Sequence, residues 1–188
     1  MKTRDLVLIA LFAALVAVLG LAPPIMLGFI PVPITLQSMG AMLAGSILGA
    51  KRGALALLLF VLLVAAGLPV LSGGRGGLAI LAGPTGGFIL GWILAAWVTG
   101  YLAERAIREG QGDFARIAAL FGACAAGGII TLYAVGMPWV AAVAGTPLSA
   151  VAYGSLAFIP GDLLKALAAA LAARAVLAGY PLLTPRAP

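Results

Sequence analysis

Apolar residues run in six long blocks, separated by short clusters of proline, glycine and charge. The blocks cover residues 6–21, 34–50, 54–68, 87–103, 117–135 and 160–177. A helix of about 18 residues spans about 27 Å, close to one hydrocarbon layer. The pattern predicts an all-α integral membrane protein: six transmembrane helices in a compact bundle, forming one domain over 1–188. Pro23-Pro24 ends the first block, and Pro31-Val32-Pro33 opens the second. Lys51-Arg52-Gly53 separates the second from the third. Residues 69–86 read as a glycine-rich loop and 104–116 as a charged one. The stretch from Pro138 to Ile159, apolar but broken by Gly145, Thr146, Pro147 and Gly154, reads as a loop with a short interfacial helix.

Charge gives the bundle a direction. Lys and Arg concentrate in short cytoplasmic loops. With six spans, one side receives Lys2, Arg4, Lys51, Arg52, Arg105, Arg108, Arg116, Arg174 and Arg186, nine of the eleven basic residues. Both termini are therefore expected in the cytoplasm, in a multi-pass protein of the inner membrane. Lys2 and Arg4 before an apolar run also suit a signal peptide. No distinct small-residue cleavage site stands out, however, and further spans follow, so a retained first helix is expected. The basic residues left on the outer side are Arg75 and Lys165.

Composition narrows the function. The chain is 64% hydrophobic and 9% charged, where soluble domains carry about a quarter charged residues. The net charge of +6 is scattered between apolar spans, which speaks against a nucleic-acid partner. There is no histidine, and the single cysteine, Cys124, lies in an apolar run without an evident partner. No metal, cofactor or catalytic residue is expected, and an enzyme is disfavoured. The inner halves of the spans lack the polar rings of a channel. A scaffold without a ligand would leave the features below unexplained.

Asp162 and Lys165 are three residues apart, on one helix face. At the centre of a spanning helix each charge costs about 2.5–3.5 kcal/mol. A helix-start acid beside a snorkelling lysine is the plain reading. The sharper one is an acceptor and a donor facing a solute cavity. Between Gly73 and Gly87, seven glycines within 15 residues allow close backbone approach, with Arg75, Thr85 and Gly86 placed among them. Arg75 offers a fork to a carboxylate. Neither the dinucleotide nor the phosphate-loop pattern fits, so the chain does not itself couple ATP. Thr35, Gln37 and Tyr153 are further hydrogen-bonding candidates at the outer side. Trp92, Trp97 and Trp139 read as interface anchors or packing residues. Small residues recur every fourth position at Gly83, Gly87, Gly91 and Ala95, and at Gly45, Gly49 and Gly53. Ala10 with Ala14, and Ala13 with Ala17, repeat the spacing in the first helix. Such faces pack helices closely.

Four segments together resemble the biotin transporter BioY family, the substrate-capture subunits of energy-coupling-factor transporters. They are residues 33–37, 73–77, 83–87 and 160–165, and the likeness covers the whole chain. The resemblance implies six helices, biotin as transported ligand in an outward pocket lined by Asp162 and Lys165, and no cofactor. It also implies that an alanine face of the first helix, Ala10 to Ala14 or Ala13 to Ala17, docks a transmembrane coupling subunit. Separate ATPase subunits would hydrolyse ATP, although some members act without dedicated partners. Biotin chemistry matches these residues. Asp162 can accept from the ureido N–H groups and Lys165 can donate to the ureido carbonyl. Arg75, with Lys165 in reserve, can meet the valerate carboxylate.

Overall fold

The computed structural model describes residues 2–183; Arg186, counted above on the inner side, lies outside them. Among the described residues the regular structure is helical, and the only extended pairings are isolated antiparallel bridges, Ile25 with Ile34 and Leu71 with Arg75. In chain order the helices are α1 (Thr3–Leu19), α2 (Ser38–Leu48), α3 (Ala50–Ala65), α4 (Leu78–Ala82) and α5 (Gly86–Ala106). Then come α6 (Asp113–Ala125), α7 (Leu132–Ala144), α8 (Leu148–Ser155) and α9 (Ile159–Gly179). A π-helical segment, Ala126–Thr131, fuses α6 to α7, and a 3₁₀ turn, Leu156–Phe158, fuses α8 to α9. Three helical runs are long and apolar enough to cross a membrane: Gly86–Ala106, Asp113–Ala144 and Leu148–Gly179.

The stretch after Pro138 differs from the expected loop. Helix α7 continues through Pro138 to Ala144, and α8 follows after a turn at Gly145. A proline removes one backbone donor. Among packed membrane helices, neighbouring helices and local winding changes accommodate that loss. The glycine-rich segment 69–86 likewise contains a single-turn helix, α4.

Helix α5 packs against α2, α3 and α7 more extensively than any other element does. Its glycines explain how. A Cβ on Gly100 would overlap the backbone of Gly49 and Ala50 at the α2–α3 junction. A Cβ on Gly45 of α2 would overlap the Ala96 carbonyl oxygen. Along the ladder seen in the sequence, Gly87 makes room for Trp139 and Gly91 for Leu132 of α7. The apolar seams therefore bring backbone to backbone, the packing that serves best where lipid tails compete equally for apolar side chains.

One end of the bundle is tied by polar contacts. Arg52 donates to Leu48 O at 2.9 Å and Leu182 O at 3.0 Å, and pairs with Asp5 at 3.4 Å. Arg4 lies over the Tyr180 ring at 4.7 Å. The Ala50 N–H donates to Glu104 Oε1 at 2.9 Å, which caps α3 across the turn at Gly49. Arg174 pairs with Asp113. The two ends of the described chain, the α2–α3 turn and the close of α5 thus share one face. Asp5 is half-buried, and its bond from the Lys2 backbone N–H, aided by Arg52, holds its carboxyl below the ordinary range.

Gly100→Ala is expected to destabilise the protein by about 1–3 kcal/mol through overpacking. Gly122→Ala, whose added methyl meets open space, should be neutral or stabilising by up to about 1 kcal/mol. Thermal unfolding of the two purified variants in detergent checks the contrast.

Candidate functional site

At the end opposite the polar ties, α2 starts late. It has only 11 residues, about 16 Å of helix, so it does not fill the bundle's full height. The space above it holds the segment that leads into it. Ile30 and Val32 are buried at 4% and 5% exposure, and the Ile25–Ile34 bridge closes this segment into a short loop. Beneath lie two small cavities, about 50 and 40 Å³, which share Val32, Pro33, Thr35, Phe88 and Trp92 as lining.

The first cavity holds the ion pair. Helix α9 begins at Ile159 with Pro160 in its first turn, where the missing N–H costs no helical bond. Asp162 follows in the same turn, where the helix dipole favours an acid. Lys165 Nζ donates to Asp162 Oδ1 at 2.9 Å and to Ser38 Oγ at 3.1 Å. Tyr133 Oη donates to Asp162 Oδ2 at 2.7 Å. Both charged side chains are nearly enclosed, at 8% exposure for Asp162 and 11% for Lys165. Phe88, Trp92 and Phe158 form apolar walls beside them, and Phe88 meets the Tyr133 ring edge-on at 6.1 Å.

The second cavity is lined by Arg75, Thr85 and Gln37. Arg75 sits on a tight turn closed by its pairing with Leu71, and Gly73 and Gly74 supply the positive φ angles, 79° and 67°, that the turn requires. Its Nε donates to Ser72 O at 3.1 Å, which fixes the direction of the guanidinium. The turn is held by Gln37. The Gln37 amide donates to Val16 O and Val70 O, each at 3.0 Å, and its carbonyl accepts from Ser72 N at 2.9 Å and Ser72 Oγ at 3.3 Å. A Cβ on Gly20 would strike that amide, so α1 must end in glycine there. Gln37, buried at 1% exposure, therefore joins α1, α2 and the Arg75 turn with every polar atom engaged.

The other residues singled out in the sequence fall elsewhere. Gly86 lines neither cavity; its missing side chain admits the Leu81 carbonyl. Tyr153 is 76% exposed and lies outside both cavities. On α1, Ala13 is buried and Ala17 half-buried, whereas Ala10 and Ala14 face outward. Tyr133, Ser38 and the aromatic walls were not foreseen.

The two cavities set an ion pair at one end and a guanidinium at the other, with aromatic rings between, inside a bundle of apolar helices. The chain belongs to the BioY family, whose pattern it matches over residues 1–182. It is 60% identical to the biotin transporter BioY of Rhizobium etli over 187 residues, covering 100% of both chains. It is 51% identical to the biotin transporter BioY of Rhodobacter capsulatus over 182 residues, 92% of this chain and 93% of that one. Its fold matches the 2.1 Å crystal structure of the S-component for biotin from an ECF-type ABC transporter with a TM-score of 0.85 and 33% identity, covering 94% of each chain.

Gln37→Leu keeps the bulk and removes four hydrogen bonds. It leaves buried carbonyls without donors, at about 1–3 kcal/mol each. A lower unfolding midpoint is expected, together with faster proteolysis between residues 69 and 77 as the turn is released; limited digestion with mass mapping reads the second effect.

Proposed function

We propose that this protein captures biotin at the outer face of the cytoplasmic membrane and serves as the substrate-binding subunit of an energy-coupling-factor transporter. The observation that carries the reading is the division of one cleft into two polar ends. The ureido ring meets Asp162 and Lys165. Asp162 accepts from the ring N–H groups and Lys165 donates to the ring carbonyl. The bicyclic body and valerate chain lie along Phe88 and Trp92. The carboxylate reaches Arg75, with Thr85 beside it. Few polar groups in an apolar pocket is the arrangement that gives a small ligand both affinity and orientation.

Six spans follow from the same reading: α1, α2, α3, α5, the α6–α7 run and α9. The nine basic residues of the sequence's inner side make both termini cytoplasmic. The chain has no phosphate-binding loop, so ATP-driven turnover would come from partner subunits; uptake without partners is the alternative. Of the two alanine faces of α1, the one at Ala10 and Ala14 is open, whereas Ala13 is buried on the core. We therefore assign the coupling-subunit contact to Ala10 and Ala14.

Asp162→Asn is expected to weaken biotin binding about 10- to 100-fold, the range for a lost charge-assisted hydrogen bond. Arg75→Gln should weaken biotin but not biotinamide, which lacks the carboxylate. Labelled-biotin binding by purified protein, with both ligands and other vitamins as competitors, tests the assignment; undiminished affinity in Asp162→Asn would sink it. Ala14→Leu should leave binding intact while reducing co-purification of the coupling subunit several-fold.

A further inference from the structure

At the polar end of the bundle, far from the cleft, an open groove of about 1180 Å³ runs between the start of α3 and the last turns of α5. Its α5 wall is a three-step ladder. The rings of Trp97 and Tyr101 stack 5.2 Å apart at 22°, and the Arg105 guanidinium lies 3.3 Å over Tyr101. Facing it stands Lys51 on α3, which is exposed. The carboxylates that line the groove are occupied: Asp5 by Arg52, and Glu104 by the Ala50 N–H. Among the described residues neither Lys51 nor Arg105 has a carboxylate partner. With Asp5 cancelled by Arg52, the groove presents two cations, Lys51 and Arg105, against one carboxylate, Glu104, and so a net positive charge beside aromatic rings, above the apolar side chain of Leu55.

We infer that this groove holds the headgroup of an anionic phospholipid. Its phosphate would sit between Lys51 and Arg105, with its glycerol against Tyr101 and its acyl chains along Trp97 and Leu55. The chemistry is specific in three respects. The net positive charge left by Lys51, Arg105 and Glu104 matches the single negative charge of a phosphodiester. Stacked Trp and Tyr belong to the membrane–water boundary, where the amphipathic rings meet both phases. Basic pockets between helices on the cytoplasmic side are the setting in which acidic headgroups bind. A soluble phosphate would use the cations but leave the apolar floor uncovered. The inference depends on this end lying at the bilayer surface and not on the identity of the solute in the cleft.

The test is native mass spectrometry of the full chain released from nanodiscs of mixed phosphatidylglycerol and phosphatidylcholine. Selective retention of phosphatidylglycerol is expected. It should fall about fivefold with Lys51→Gln or Arg105→Gln, and further in the double variant. Arg105→Lys should keep most of it. Labelled-biotin binding, measured on the same samples, shows that the variants remain folded. Equal retention of both lipids overturns the inference. So does unchanged phosphatidylglycerol retention in the double variant, including the case in which that variant instead loses a co-expressed coupling subunit.

Discussion

The half of this protein opposite the polar ties depends on keeping one ion pair inside an apolar bundle. Asp162 and Lys165 are each nearly enclosed, so each must be neutralised and hydrogen-bonded or else bear a large desolvation cost. Their partners come from different elements: Ser38 from the first residue of α2, Tyr133 from the second residue of α7. The pair thus fixes where α2, α7 and α9 stand relative to one another at that end. It also leaves unfilled space beside it, lined by aromatic rings rather than by further polar groups. A protein that needed only stability would do as well with apolar side chains of equal volume, because a buried pair contributes little net stability over such a replacement. The pair's retention here is intelligible as ligand chemistry held ready.

The rest of the fold positions a second cation at a distance from the first pair. Arg75 is on a loop, and loops are ordinarily the least rigid part of a bundle. Gln37 removes that freedom. Its four hydrogen bonds join the end of α1 to Val70 and Ser72 on the segment leading into the Arg75 turn, and its backbone leads directly into Ser38, which contacts Lys165. The two polar ends of the cleft are therefore mechanically linked through adjacent residues, 37 and 38. A ligand that pulls on either end works against the same short segment.

Much of this was legible in the sequence for a physical reason. Apolar runs report on lipid and the asymmetry of Lys and Arg on topology, so the helices and the gathering of Arg4, Arg52 and Arg174 at one end of the bundle could be anticipated. Asp162 and Lys165 stood out because charge is rare in such a chain. Residues whose role depends on three-dimensional neighbours were not legible. Gln37 is a polar residue at the outer end of a span in either reading; only the approach of Gly20 and Ser72 makes it a clamp. Tyr153 has the same chemistry as Tyr133, and nothing local says that one faces the cleft and the other faces outward. Pro138 reads as a break because its local preference is real, but packing overrules it.

The glycines carry the same distinction further. Read as a cluster, the segment from Gly73 to Gly87 suggests backbone held close to a ligand. In the structure its members do different work. Gly73 and Gly74 permit the turn under Arg75 by their positive φ, Gly76 and Gly86 admit the carbonyls of Leu68 and Leu81, and Gly87 admits Trp139. Trp139 then donates its indole N–H to Gly83 O at 2.9 Å, binding α7 to the end of the same loop. The loop is glycine-rich because it is squeezed between helices, and that compression presents Arg75 and Thr85 to the cleft. Side chains anywhere along the backbone-packed positions would push the loop outward and carry the guanidinium with it. Under the proposed function, solute recognition at this end would rest on residues that need never touch the solute.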